Sequence, residues 1–146
     1  FNTSDPGNFD KELTADYKFA FRNAVSNFGK EYYVDMDFRK EYSSFTFDTA
    51  ERDHDYWFNY KQNIQREIEL VIPAGFTVTH LPANVEIRNA DYEFVVTYSQ
   101  QKDKLVYRKT IAIRNPRLTK ANFVQWNKDI EKLNQAYNEQ VVLTAK

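Results

Sequence analysis

The chain has 146 residues, of which 42% are hydrophobic and 16% aromatic, with 20 Lys plus Arg against 21 Asp plus Glu. That length suits one domain with a real core, and the even charge balance argues against the phosphate-neutralising surface on which nucleic-acid binding depends. The absence of cysteine excludes disulfides, thiolate metal sites and a cysteine nucleophile, and no apolar run approaches the roughly 20 residues a membrane-crossing helix needs.

The chain opens on Phe1 and the string Asn2-Thr3-Ser4-Asp5-Pro6-Gly7-Asn8, polar and rich in turn formers, a composition found between domains. Residues 1–10 are therefore expected to be a linker remnant of a longer protein, and residues 11–146 a single domain. Asn2-Thr3-Ser4 also fits a glycosylation acceptor. Leu13, Ala15, Tyr17, Phe19 and Phe21 then share one parity against Thr14, Asp16, Lys18 and Ala20, the two-residue period of a half-buried strand. Asn27-Phe28-Gly29-Lys30 breaks the pattern. Tyr32, Val34, Met36 and Phe38 resume it with Tyr33, Asp35 and Asp37 opposite, which predicts an antiparallel hairpin. Residues 42–47 carry a shorter apolar alternation, either a weak strand or a loop, and residues 49–54 form a polar connector.

Farther on, Ile64, Arg66, Ile68, Leu70 and Ile72 share a face against Gln65, Glu67 and Glu69, a strand with one wet side. Residues 70–82 read Leu-Val-Ile-Pro-Ala-Gly-Phe-Thr-Val-Thr-His-Leu-Pro: two short apolar strands joined by a Pro-x-Gly bend. Pro73 cannot donate to a ladder, Gly75 supplies a permissive backbone, and Pro82 stops the second strand. Tyr92, Phe94, Val96 and Tyr98 oppose Leu105, Tyr107, Lys109, Ile111 and Ile113 across residues 99–104, a second long hairpin. The period then changes. Phe123, Trp126, Ile130, Leu133 and Tyr137 form one helical stripe, with Thr119 as N-cap and Trp126 facing the core. Val141-Val142-Leu143 returns to a strand pattern and is expected at a sheet edge. The whole predicts a mainly β fold, an antiparallel β-sandwich with one C-terminal amphipathic helix packed on it.

Chemistry-bearing patterns are sparse. The three glycines stand far apart, so neither a phosphate loop nor a dinucleotide fingerprint can be written. His54 and His80 lie in different segments without a helical ligand partner; a small metal-assisted hydrolase built on either would need them joined by tertiary structure. Asp53-His54-Asp55 is the densest titratable cluster, yet neighbours in an extended segment point apart, so a solvated loop is expected. Asp35 and Asp37, with Asp48 or Glu41 nearby, could offer oxygens to calcium but lack the glycine-punctuated loop of such sites. No glycosidase carboxylate pair is nominated, and no Gly-x-Ser-x-Gly occurs. The expectation is no catalytic residue, no cofactor and no metal. Tyr56-Trp57-Phe58-Asn59-Tyr60 is the one aromatic patch that could serve as a ligand platform, through Tyr56, Trp57 and Tyr60. Alternation puts Tyr56, Phe58 and Tyr60 on one side and Trp57 on the other, so at least one set should enter the core. Arg66 and Lys109 interrupt apolar faces and are expected to snorkel or to pair with a carboxylate.

Several of these features, in this order, carry a family resemblance: the strand over residues 32–38, Glu51-Arg52 ahead of an aromatic segment, the Ile-Pro-x-Gly-Phe to Leu-Pro unit within residues 68–82, Tyr107-Arg108-Lys109, and the helix leading to Gln140-Val141-Val142-Leu143. The chain resembles the C-terminal β-rich domain of unknown function that follows a transglutaminase-like core in large secreted or periplasmic bacterial proteins. Members usually have a proline shortly after the arginine, where this chain has Asp53-His54-Asp55. The resemblance implies a non-catalytic accessory domain for scaffolding, substrate presentation or partner binding, located in the periplasm or outside the cell. Its partners would be neighbouring domains of the same chain, or a protein or glycan ligand; the parent's catalytic cysteine, histidine and aspartate have no counterparts here. The alternative reading is a carbohydrate-binding β-sandwich module using exposed aromatics.

Overall fold

The structure, a computed structural model, describes residues 2–5, 7, 10, 14–16, 18 and 25–146. In chain order its strands are β1 (Asn2–Thr3), β2 (Ala15–Asp16), β3 (Val25–Phe28), β4 (Glu31–Val34), β5 (Tyr56–Trp57), β6 (Gln62–Val71), β7 (Phe76–His80), β8 (Val85–Arg88), β9 (Tyr92–Gln101), β10 (Lys104–Ile113) and β11 (Arg117–Leu118). A single 3-10 turn (Lys120–Asn122), helix α1 (Phe123–Asn138) and strand β12 (Val141–Ala145) complete them. Two four-stranded antiparallel sheets carry the fold, ordered β6-β10-β9-β8 and β3-β4-β12-β7, beside the two-stranded ladders β1-β2 and β5-β11.

The long hairpin forms as expected, and its register sets Tyr107 opposite Tyr98, Lys109 opposite Val96, Ile111 opposite Phe94 and Ile113 opposite Tyr92. The strands run farther than the apolar pattern does, leaving a two-residue turn at Lys102-Asp103 with Lys102 in the left-handed region (φ 40°). The neighbouring strand β6 pairs with β10 along its whole length and alternates half-buried and exposed residues as read. The Pro-x-Gly bend does more than join two strands. It passes the chain from β6, at the edge of the first sheet, to β7, at the edge of the second. The Phe76 N–H donates to the Pro73 carbonyl, and Gly75 takes φ 87°, the third-position geometry of a type II turn. The chain then returns through Pro82 to β8, the opposite edge of the first sheet.

Helix α1 buries Phe123, Trp126, Ile130, Leu133 and Tyr137, the stripe its spacing predicts. Both sheets and the helix share one core, in which Val34, Met36, Val141 and Leu143 meet Tyr98, Leu105 and Tyr107.

Several expectations need correction. The strand expected through Phe38 ends at Val34 because aspartate side chains take over the backbone: Asp35 Oδ1 accepts from the Asp37 N–H and Asp37 Oδ1 from the Arg39 N–H. Phe38 is consequently exposed, and Asp37, expected on the wet face, is buried. The first hairpin turns at Gly29-Lys30 (Gly29 φ 60°), with Asn27 and Phe28 inside β3. Of the two readings of residues 42–47 the loop holds, with Tyr42, Phe45 and Phe47 packed on the core. Thr119 precedes the 3-10 turn and makes no side-chain cap; its carbonyl accepts the Asn122 N–H. Strand β12 lies inside its sheet between β4 and β7, not at the edge. Strand β8 is additional, its Val85 and Ile87 opposite Val96 and Phe94. Leu13, Tyr17, Phe19 and Phe21 lie outside the described residues, and Ala15 belongs to β2, which pairs with β1.

Candidate functional site

The core face of the first sheet carries two cations side by side, because Arg66 of β6 and Lys109 of β10 are register partners. Lys109 is fully buried. Its Nζ lies 2.8 Å from Asp37 Oδ1, 2.6 Å from Asp37 Oδ2, 2.6 Å from the Arg39 carbonyl and 2.6 Å from Glu41 Oε2. Arg66 Nη2 sits 2.6 Å from Glu41 Oε1. Glu41 thus bridges the two cations with one oxygen on each. The Tyr107 hydroxyl donates to Asp37 Oδ2 at 2.8 Å, and the Tyr137 ring lies 5.0 Å from the Lys109 ammonium. Two carboxylates thus neutralise two cations beneath a wall of rings. Burial, then the bond to Asp37, pushes the Tyr107 phenol far above its ordinary range; burial also raises Tyr98 and Tyr137. These hydroxyls stay protonated, and that of Tyr107 acts as a donor.

Toward the helix N-terminus the same face is filled by rings. Trp126 lies 4.8 Å from Tyr92 and 5.4 Å from Phe94, centroid to centroid, and Phe47 stacks on Phe123 at 4.2 Å. The polar edges here are satisfied singly: Trp126 Nε1 donates to the Phe45 carbonyl at 2.7 Å, and the Tyr92 hydroxyl to Asp129 Oδ2 at 2.8 Å. The Arg52 guanidinium lies 5.2 Å from the Tyr56 ring and 5.7 Å from the Phe47 ring, capping the cluster from its exposed side.

The residues singled out from the sequence separate in space. Tyr56 turns inward, 4.9 Å from Phe58 and 5.2 Å from Phe45. Trp57 is 63% exposed and carries Arg117 5.8 Å above its ring. Tyr60, expected beside Tyr56 and Phe58, is 64% exposed because the chain bends at Asn59-Tyr60 and breaks the alternation. Asp53 and Asp55 both meet Lys120, through its Nζ at 2.8 Å and its backbone N–H at 2.8 Å, and Asp55 also accepts from Arg117. The Lys120 side chain lowers the Asp53 pKa, and the Lys120 backbone N–H followed by Arg117 lowers that of Asp55. That pair ties the β5-β11 ladder to the start of the helix. His54 is exposed; His80, also exposed, faces Glu139 at 3.2 Å. Asp35 pairs with Lys40. Asp48 accepts from the backbone of Glu51 and Ala50, which holds its carboxyl below the usual range. Among the described residues no three His, Asp or Glu side chains are grouped to hold a metal ion.

Sequence reasoning expected Arg66 and Lys109 either to snorkel or to pair with a carboxylate; both pair, and it did not name Asp37 and Glu41 together as their partners. The available signal was Lys109 itself, an ammonium at the centre of the apolar face of a ten-residue strand, which demands a buried counter-charge.

The class these features define is an antiparallel β-sandwich domain with a C-terminal helix and an internally neutralised core. Residues 30–143 match a family described as a domain of unknown function (DUF3858), and the chain belongs to that family. No curated protein and no solved structure matches it.

Proposed function

We propose that the domain is a non-catalytic accessory module of a larger, transglutaminase-like bacterial protein of the cell envelope, serving as scaffold, substrate-presenting element or partner-binding surface. The observation that carries this reading is how the polar groups of the core are used: Asp37, Glu41, Arg66 and Lys109 are committed to one another, while both imidazoles lie outside on separate elements. Membership of a family described only as a domain of unknown function is compatible with it. Deleting residues 30–143 from the parent protein tests the proposal. The expected result is an intact chemical step in the neighbouring core with a raised KM or lost partner capture. A kcat abolished while the remaining core stays folded, and restored only by this domain's own side chains, would contradict it.

A second reading, a carbohydrate-binding module, draws on one observation: Trp57 and Tyr60 are both largely exposed. Trp126 is buried, so a change in indole emission on adding a glycan would report chiefly on Trp57. A flat response across a glycan panel, with Trp57→Ala behaving as wild type, would remove this reading.

A further inference from the structure

The buried cation of Lys109 is held in a geometry with a chemical consequence. Its nitrogen touches both oxygens of Asp37, at 2.8 and 2.6 Å, which seats it at the edge of the carboxyl group, where a rotation of that group would present the carboxyl carbon to it. A second carboxylate, Glu41, lies 2.6 Å from the same nitrogen, and the Tyr107 hydroxyl donates to Asp37 Oδ2. Lys109 and Asp37 are among the most buried polar residues, walled by Tyr98, Tyr107 and Tyr137. An amine, a carboxyl group, a proton carrier and an oxygen-polarising donor thus converge in a place from which water is largely excluded.

We propose that Lys109 and Asp37 form an intramolecular isopeptide bond, with Glu41 as the proton relay and Tyr107 as the donor to the developing oxyanion. One proton passes from the ammonium to Asp37 Oδ1 along their 2.8 Å hydrogen bond, leaving a neutral amine beside a neutral carboxylic acid, and the amine lone pair attacks the Asp37 carboxyl carbon. The charge that builds on Oδ2 in the tetrahedral intermediate is met by the Tyr107 O–H. Glu41 Oε2 then takes the second proton from the nitrogen and passes it to the hydroxyl at Oδ1. The C–Oδ1 bond breaks, and the second proton lost by the nitrogen leaves with that oxygen as water. The ammonium and carboxylate together become one amide and one water, with no oxidant, reductant or co-reactant, and Glu41 is regenerated. Desolvation favours this direction: one of two buried ion pairs is replaced by a neutral amide, and Glu41 keeps Arg66 as its counter-charge. The bond would tie β10 of the first sheet to the segment leaving β4 of the second, across 72 residues of sequence, a covalent staple in a chain that has no cysteine.

Intact-mass measurement of the purified protein, denatured after prolonged incubation, tests the proposal. The expected mass is lower than that of the sequence by one water, and tandem fragmentation should yield a branched peptide joining Lys109 to Asp37. Lys109→Met should have the mass of its own sequence. Should that variant fail to fold, Glu41→Gln keeps both reacting groups and removes the relay, so its unreacted fraction should rise. A wild-type protein whose mass equals its sequence, or water loss that persists in Lys109→Met, would overturn the proposal.

Discussion

One sheet face builds its two ends from opposite materials. Around Tyr92, Phe94, Ile111 and Ile113 the space under α1 is filled by the rings of Trp126, Phe47 and Phe123. A few residues along the same strands, around Val96, Tyr98, Tyr107 and Lys109, it is filled by four charges that cancel. The first end is held by area removed from water and by ring geometry, interactions that lose strength gradually when a side chain is trimmed. The second is held by mutual neutralisation, which fails at once when a single partner is removed. Apolar filling thus fixes the thickness of the sandwich, and charge pairing fixes which loop must lie over which strand.

Breaking the charged end should have the largest effect. Lys109→Met leaves Asp37 and Glu41 buried against one guanidinium, and the expected loss is about 3–5 kcal/mol in a chemical melt; a loss below about 1 kcal/mol would mean that water reaches these carboxylates. Trp126→Ala attacks the other end and should also cost about 3–5 kcal/mol, because a fully buried indole and its bond to the Phe45 carbonyl are both removed. A melting temperature lowered by only a degree or so would show that the stripe does not anchor the sheet. Tyr107→Phe sharpens the comparison by deleting a single donor to Asp37, with an expected cost of about 1–3 kcal/mol.

The alkaline limb of stability separates the ends less sharply but fixes a sign. Burial pushes the Tyr42 phenol from 10.0 up to about 12, and burial likewise raises Tyr92, Tyr98, Tyr107 and Tyr137. A folded pKa above the unfolded one gives a contribution that is complete below pH 10 and is lost as pH rises through about 12 for Tyr42. Phenolate absorbance from these five should therefore appear together with unfolding above that lower limit. Five phenolates titrating in a still-folded protein near their ordinary pKa would contradict the packing. The smallest effect is expected outside both ends: Trp57→Ala, at a largely exposed ring, should shift stability by no more than about 0.5 kcal/mol.

Much of this architecture was legible in the sequence where periodicity coincides with burial. The alternation in residues 92–113 predicts the hairpin and its core face, because a one-residue slip would turn Phe94 and Ile111 outward. The 123–137 stripe predicts the buried helix face for the same reason. Elsewhere the signal was absent or misleading. Strand β3 is exposed at all four positions, so no core face marks it. Strand β8 offers only Val85 and Ile87. The interior place of β12 depends on β7 arriving from the other sheet, a tertiary event that Val141-Val142-Leu143 does not encode locally. At the charged end, Lys109 announced that a partner must exist. Asp37 sat on the polar parity of its own segment, and only the aspartate turns that end β4 rotate it inward.

The claim on which the account rests is that Asp37 and Lys109 are committed to each other inside the core, and a double-mutant cycle on Lys109→Met and Asp37→Asn measures that directly. The account predicts strong coupling of more than about 1 kcal/mol, the double variant being far less destabilised than the sum of the two single ones, because it returns the cluster to one carboxylate and one guanidinium. Additive losses would contradict it and would place the two side chains in separate, solvated environments.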